Sequence, residues 1–172
     1  MTDMAVIGMA CRFPGGCATP EAYWELLAAG RNVVTEVPGD RWDHSMFKHP
    51  NKRAAGRSYT FTAGTLGDIS GFDAAFFGIS PREADAMDPQ QRMLLEMGWE
   101  ALESGGQLPG HFVGRNCAVY VGISSTEYGS IQQGDGDGIN AYMMLGSTLS
   151  IAANRLSYQF DLRGPSMAVD TA

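Results

Sequence analysis

Cysteine is scarce in this sequence, basic charge is outnumbered by acidic, and no long apolar run occurs; each shortage closes off a class of protein. The three cysteines, Cys11, Cys17 and Cys117, are an odd set with no framework of pairs, so reduced thiols in a cytoplasmic protein are the expectation. Cys11 and Cys17 are badly spaced for zinc, and His44 and His49 have no Cys or carboxylate set to complete a metal site. Lys+Arg number 12 against 19 Asp+Glu, a net charge of −7, which argues against a nucleic-acid partner. No apolar run approaches the roughly 20 residues of a membrane span. The opening Met1-Thr2-Asp3-Met4 lacks the basic start of a signal peptide. Charged residues make up only 18%, below the roughly 25% usual for globular proteins. Either a well-buried α/β core or a surface given over to an interface accounts for that.

Familiar site signatures are missing too. After the first apolar run, Gly8-Met9-Ala10-Cys11-Arg12-Phe13 has Ala and Phe where a dinucleotide fingerprint needs its later glycines. Gly122-Ile123-Ser124-Ser125-Thr126 starts like a hydrolase elbow but lacks the closing Gly, leaving Ser124 as a strand-end hydroxyl. The loop 134–138 (GDGDG) lacks the later bidentate acid of a calcium loop and reads as a flexible turn.

What is present is the alternation of an α/β protein. A length of 172 residues suits one domain or a piece of a larger one, and 22 glycines imply many tight turns. Residues 4–9 (MAVIGM) read as a buried strand. Thr19-Pro20 opens a helix over 20–29 that buries Tyr23, Leu26 and Leu27. Residues 31–71 show no sustained period and predict loops and short strands. Ser80-Pro81-Arg82-Glu83 is a capping box, and Asp88-Pro89 opens a longer helix to about Ser104. In that helix Arg92, Glu96, Glu100 and Glu103 form a polar stripe, opposite Leu94, Leu95, Ala101 and Leu102. Residues 117–123 predict a second buried strand, 145–160 a helix, and 166–171 a last strand after the turn Gly164-Pro165. Strands alternating with helices favour a layered fold with a largely parallel sheet.

Several stretches, taken together, resemble one family. Residues 6–15 (VIGMACRFPG) are similar to the opening of modular polyketide synthase ketosynthases. Residues 72–84 (FDAAFFGISPREA), running on into 87–92 (MDPQQR), are similar to that family's most recognisable internal motif. Residues 153–158 (ANRLSY) keep its helix pattern, with Asn154 where Gly is commonly seen, and 164–172 (GPSMAVDTA) resemble the strand leading into its active site. The resemblance identifies residues 1–172 as the N-terminal part of a ketosynthase domain of a type I polyketide synthase. It implies the thiolase-like layered αβαβα fold, of which the N-terminal portion is present.

The family's nucleophilic cysteine follows Asp-Thr-Ala directly, which the resemblance puts immediately after Ala172. The family's catalytic histidines and lysine lie beyond the 172 residues, so no catalytic residue falls within them, and His44, His49 and His111 take no role. A cysteine at a strand-to-helix elbow meets backbone N–H groups and the helix dipole, which favour the thiolate. That thiolate attacks an acyl thioester and holds the chain covalently. Thr171 and Ala172 define the backbone beside it. Asp170 is either a structural hydrogen-bonder at the elbow or a general acid.

The resemblance further implies decarboxylative Claisen condensation with a malonyl-type extender. Acyl groups arrive on the phosphopantetheine of an acyl carrier protein, with no bound cofactor and no metal, in a homodimer without nucleic acid or membrane. Tyr142, Met143 and Met144 match the place where related synthases line the partner's substrate tunnel, with core packing as the alternative. Lys48, Lys52, Arg53 and Arg57 form a basic cluster that either meets the acidic carrier protein or is a solvated loop. Met1 at the domain start leads to the expectation that no docking segment precedes it. Two other readings stand beside the condensing enzyme: a catalytically inactive fragment, and a partner subunit without the cysteine. The residue encoded after Ala172 separates them: Cys, a stop, or Gln or Ala.

Overall fold

Three helix starts in this chain are written as a polar cap followed by proline. The computed structural model, which describes residues 3–134 and 140–171, shows each cap at work. Thr19 Oγ1 accepts from the Ala22 N–H at 3.2 Å and opens α1 (Pro20–Ala28). Ser80 Oγ accepts from the Glu83 N–H at 3.2 Å and opens α2 (Pro81–Ala86). Asp88 Oδ1 accepts from the Gln90 N–H at 2.8 Å and opens α3 (Pro89–Ser104). Each side chain satisfies an N–H that the first helical turn leaves orphaned, and proline has no N–H to orphan.

The remaining elements are β1 (Thr35–Glu36), β2 (Thr62–Ala63), a short 3-10 turn at Pro109–His111, β3 (Val119–Gly122), α4 (Glu127–Gly134), α5 (Met143–Ser147), α6 (Leu149–Gln159) and β4 (Ser166–Val169). None of the described helices is long and apolar enough to cross a membrane. The chain divides into two compact units, Cys11–Ile69 and Met1–Ala10 with Ser70–Ala172.

In the smaller unit β1 and β2 pair antiparallel, Thr35 opposite Ala63 and Glu36 opposite Thr62. An aromatic group forms around Phe61, with His44 stacked on its ring at 4.5 Å and Trp42 at 5.2 Å. α1 buries Leu26, and Tyr23 meets the ring of Phe13 at 4.2 Å, but Leu27 is exposed, contrary to the expectation for it. Consecutive helical residues point about 100° apart, so a short helix with one narrow buried stripe takes Leu26 and leaves Leu27 out.

In the larger unit α3 is the central piece. On one side Leu95 packs with Phe77 and Met87, joined by Phe72, Ile79, Trp99 and Leu156. On another, Leu94 reaches a cluster of Val121, Ala152 and Ala153, which Leu156 also joins. The expected polar stripe of α3 is only partly solvated: Glu103 is exposed, while Arg92, Glu96 and Glu100 are half-buried. Arg92 Nη1 donates to the Ser70 carbonyl at 3.1 Å, and Glu96 Oε1 accepts from the Asp73 N–H at 3.4 Å. Both tie down the segment that carries the 72–84 motif. β3 and β4 are parallel, Val119 opposite Ser166 through Gly122 opposite Val169, with α4, α5 and α6 in the connection. That is the expected strand–helix alternation.

Some expectations need correcting. Residues 4–9 form no strand; Met4, Val6, Ile7 and Met9 are exposed. Apolar periodicity reports burial tendency, but a ladder needs a neighbouring strand, and none of the described strands lies beside this segment. It is held instead by Gly8, where an added Cβ would sit 2.9 Å from the Gly105 nitrogen at the end of α3. The helix expected over 145–160 begins earlier and breaks at Thr148, whose φ of −81° and ψ of 125° are extended. Ser147 Oγ donates to the Met143 carbonyl at 2.8 Å and Thr148 Oγ1 to the Met144 carbonyl at 2.6 Å, side-chain bonds that compete with the helical ladder. The last strand stops at Val169. Helix α4 had no periodic signal, and of the expected turn at 134–138 only Gly134, the end of α4, lies within the described residues.

Candidate active site

Parallel pairing sends the C-terminal ends of β3 and β4 to the same edge, the edge at which open α/β sheets place their ligands. The ladder runs from Val119 N–H to the Pro165 carbonyl at 2.8 Å to Ile123 N–H to the Val169 carbonyl at 3.1 Å. Past Val169 the pairing ends, and Asp170 and Thr171 are exposed at that edge. Ala172, the other predicted elbow residue, lies outside the described residues. The loop after β3 is tied to the start of α3, because Gln90 Nε2 donates to the Ser125 carbonyl at 3.2 Å and to Asp88 Oδ2 at 3.1 Å.

β4 is aimed by what lies behind it. Ala152 and Ala153 of α6 are fully buried beside Val121, and their small side chains let the helix lie close on the strand pair. At the head of β4 a chain of hydrogen bonds crosses from α6: Ser157 Oγ donates to Ser166 Oγ at 2.8 Å, which donates to Asn154 Oδ1 at 3.0 Å. The turn between them is pinned by Gly114 N–H to the Asp161 carbonyl at 2.8 Å and Gly164 N–H to the Cys117 carbonyl at 3.1 Å.

Tyr142, Met143 and Met144 open α5, which packs on α2 and α4 and is joined to β4 through α6. Met144 is 76% exposed while Tyr142 and Met143 are half-buried. Of the basic cluster, Lys48 Nζ pairs with Glu36 Oε1 at 3.2 Å, and Lys52 Nζ sits 4.7 Å over the Tyr59 ring. Arg53 and Arg57 are exposed. These residues belong to the unit Cys11–Ile69, and the elbow to the other. Among the described residues no group of three or more His, Cys, Asp or Glu is placed to hold a metal.

A buried polar network escaped the sequence reading. Arg155 Nη1 donates to Glu83 Oε1 at 2.6 Å and Arg155 Nε to Gln91 Oε1 at 2.8 Å. Gln91, itself 2% exposed, donates through Nε2 to the carbonyls of Leu145 at 3.2 Å and Thr148 at 3.3 Å. It thereby supplies a donor to the Leu145 carbonyl at the break between α5 and α6, and a second one to the Thr148 carbonyl, which also accepts from the Ile151 N–H at 3.1 Å. Glu83, expected to close a capping box, has Oε1 in this ion pair instead. The pair borders a cleft of about 460 Å³ lined by Phe77, Ile79, Leu145 and Ile151. The signal in the sequence was the oddity of Gln91-Arg92 and Asn154-Arg155 inside otherwise apolar helical patterns.

Comparison with known proteins agrees with this geometry. Residues 1–172 match the family model described as the β-ketoacyl synthase N-terminal domain. A phenolphthiocerol/phthiocerol polyketide synthase subunit of Mycobacterium tuberculosis is 50% identical over 169 residues, covering 98% of this chain and 11% of that protein. An oxazolomycin ketosynthase domain from Streptomyces albus JA3453 superimposes with a TM-score of 0.85 at 36% identity, over 96% of this chain and 28% of that one. The ketosynthase from module 6 of the bacillaene synthase of Bacillus subtilis 168 gives 0.81 at 35% identity, over 97% and 26%. The chain thus spans about a quarter of those solved structures, and its architecture is the N-terminal portion of their thiolase-like fold. The chain belongs to the β-ketoacyl synthase family, as a ketosynthase N-terminal domain of the polyketide synthase kind.

Proposed function

We propose that this chain supplies the N-terminal part of a condensing enzyme that elongates carrier-bound acyl chains, residues 1–172 ending just before the nucleophilic cysteine. The observation that carries the reading is the parallel β3–β4 pair, which presents Asp170 and Thr171 at an exposed sheet edge, in a chain of this family. A cysteine directly after Ala172 takes the acyl group from a carrier thioester, releasing the carrier thiol. A malonyl-type extender on a second carrier then loses carbon dioxide, and the carbanion formed attacks the acyl-enzyme carbonyl. The cysteine thiolate leaves, and a 3-oxoacyl-carrier results. Asp170, Thr171 and Ala172 shape the backbone beside the nucleophile.

The substrates ride on the phosphopantetheine arm of an acyl carrier protein, and the enzyme itself holds no cofactor. Tyr142, Met143 and Met144 line the passage for the acyl chain of the partner subunit; the exposed thioether of Met144 supports this, since flexible apolar side chains suit lipid-like ligands. A homodimer is supported by the low charge content of 18%, which suits a surface given over to an interface. Three free cysteines suit a cytoplasmic setting.

The experiment is to incubate the complete polypeptide with an acyl-carrier thioester and measure its intact mass. An increase equal to the acyl group, prevented by prior alkylation with iodoacetamide, is expected; addition of malonyl-carrier then discharges it as 3-oxoacyl-carrier. No adduct under conditions where the thioester persists overturns the reading.

Lys52, Arg53 and Arg57 receive the acidic carrier. Reversing all three to Glu should raise the KM for carrier-linked substrate about tenfold at low salt, with kcat unchanged and the difference shrinking in high salt. An unaltered KM assigns the cluster to a solvated loop.

A further inference from the structure

α6 is fixed from opposite sides, an arrangement whose meaning for catalysis rests on the acyl-transfer reading of the elbow. On one side Arg155 reaches across to Glu83 of α2 at 2.6 Å and Gln91 of α3 at 2.8 Å. On the other, Asn154 and Ser157, one helical turn apart, hold Ser166 at the head of β4 at 3.0 and 2.8 Å. We propose that Arg155 is a positioning residue for acyl transfer. It sets the placement of α6, and α6 hands that placement through Ser166 to the strand whose end is the elbow.

The chemistry of the network supports positioning over simple adhesion. A largely buried ion pair is a poor source of stability, because desolvating both charges offsets most of their attraction. It is a good source of direction. The guanidinium is a planar fork, so one side chain fixes both a distance and an angle, here against two different helices. Gln91 extends the same plane to the carbonyls of Leu145 and Thr148, so the start of α6 is held by the network that holds its middle. Lysine keeps the charge opposite Glu83 but loses the rigid fork that fixes the angle between the two partners. Arg155 bonds to α2 and α3, so its effect on reaction runs through the helix that carries it.

The test is a double-mutant cycle on the rate of self-acylation of the complete polypeptide, read by rapid quench and intact mass. Arg155→Lys and Ser166→Ala should each lower the acylation kcat about tenfold with KM unchanged, the cost of a small misplacement of a reacting group. The double variant should be about as slow as the slower single one, because both changes break the same link. Their effects on the unfolding midpoint, which reports stability alone, should add. Rates that multiply, rates that fall only in step with the folded fraction, or wild-type rates in Arg155→Lys overturn the inference. Should Arg155→Lys not fold, Asn154→Ala takes its place in the cycle and isolates the link to Ser166 directly. An active wild type beside indifferent variants overturns this inference alone; a wild type that accepts no acyl group overturns the acyl-transfer reading along with it.

Discussion

Placing a single methyl group at Gly146 should destabilise the protein by about 3 kcal/mol, the upper end of what overpacking a rigid site costs. Gly146 is buried in α5, and its carbonyl accepts from the Asp88 N–H at 2.9 Å, at the junction of α2 and α3. A Cβ there would lie 2.6 Å from the carbonyl carbon of Ala86 and 3.1 Å from the Cα of Met87. Backbone atoms cannot turn aside as the end of a flexible side chain can. Met87 and Ala86 are themselves buried, so relief requires moving α5 off the core. Gly110, where an added Cβ meets nothing within 4 Å, is the control. Urea unfolding of Gly146→Ala and Gly110→Ala should separate widely, the control staying within about 0.5 kcal/mol of the parent. Equal midpoints would mean that α5 does not approach α2 this closely.

Replacing Gln91 by Met, which keeps length and volume and removes only polarity, should cost about 3 kcal/mol as well. The change leaves Arg155 Nε and the Leu145 carbonyl without their Gln91 partner, and the Thr148 carbonyl with the Ile151 N–H alone. Each buried group stripped of its partner costs about 1–3 kcal/mol. Inward movement of water relieves part of that, which keeps the sum nearer 3 than the full total. Gln133→Met on the exposed side of α4 provides the comparison and should be close to neutral. Thermal or chemical unfolding reads both. A neutral Gln91→Met would show that shape, and not hydrogen bonding, matters in the middle of the helical layer.

Those two sites mark where sequence reading reached and where it stopped. Caps are local: Thr19, Ser80 and Asp88 act within three residues of themselves, so their helices were legible from the order of residues alone. The β3 and β4 segments carried their signal in an apolar run next to glycine or proline. The link between Gln91 and Arg155 was not legible because the partners lie far apart in sequence and on different elements. The break at Thr148 was hidden for a related reason. Ser and Thr are tolerated inside helices, and only the combination of their back-bonds with the donating amide of Gln91 makes a break stable there. At residues 4–9 the error ran the other way: an apolar pattern predicted pairing, while pairing depends on a second strand that the pattern does not mention. The strand after Gly164-Pro165 was legible, and the structure follows it from Ser166 to Val169.

The parallel partnership of β3 and β4 also has a consequence in time. On the ribosome β3 emerges first, and the strand that completes its ladder follows only after α4, α5 and α6 have been made. At roughly 5–20 residues per second, that is a delay of several seconds. Throughout it Tyr120 and Val121 lie on a strand with no β4 beside it, open to any other extended chain. Pairing of β4 is the event that ends this exposure, and α6, which packs on α3, β3 and β4, brings that strand into place, so the rate at which α6 docks bears on how much newly made chain escapes association.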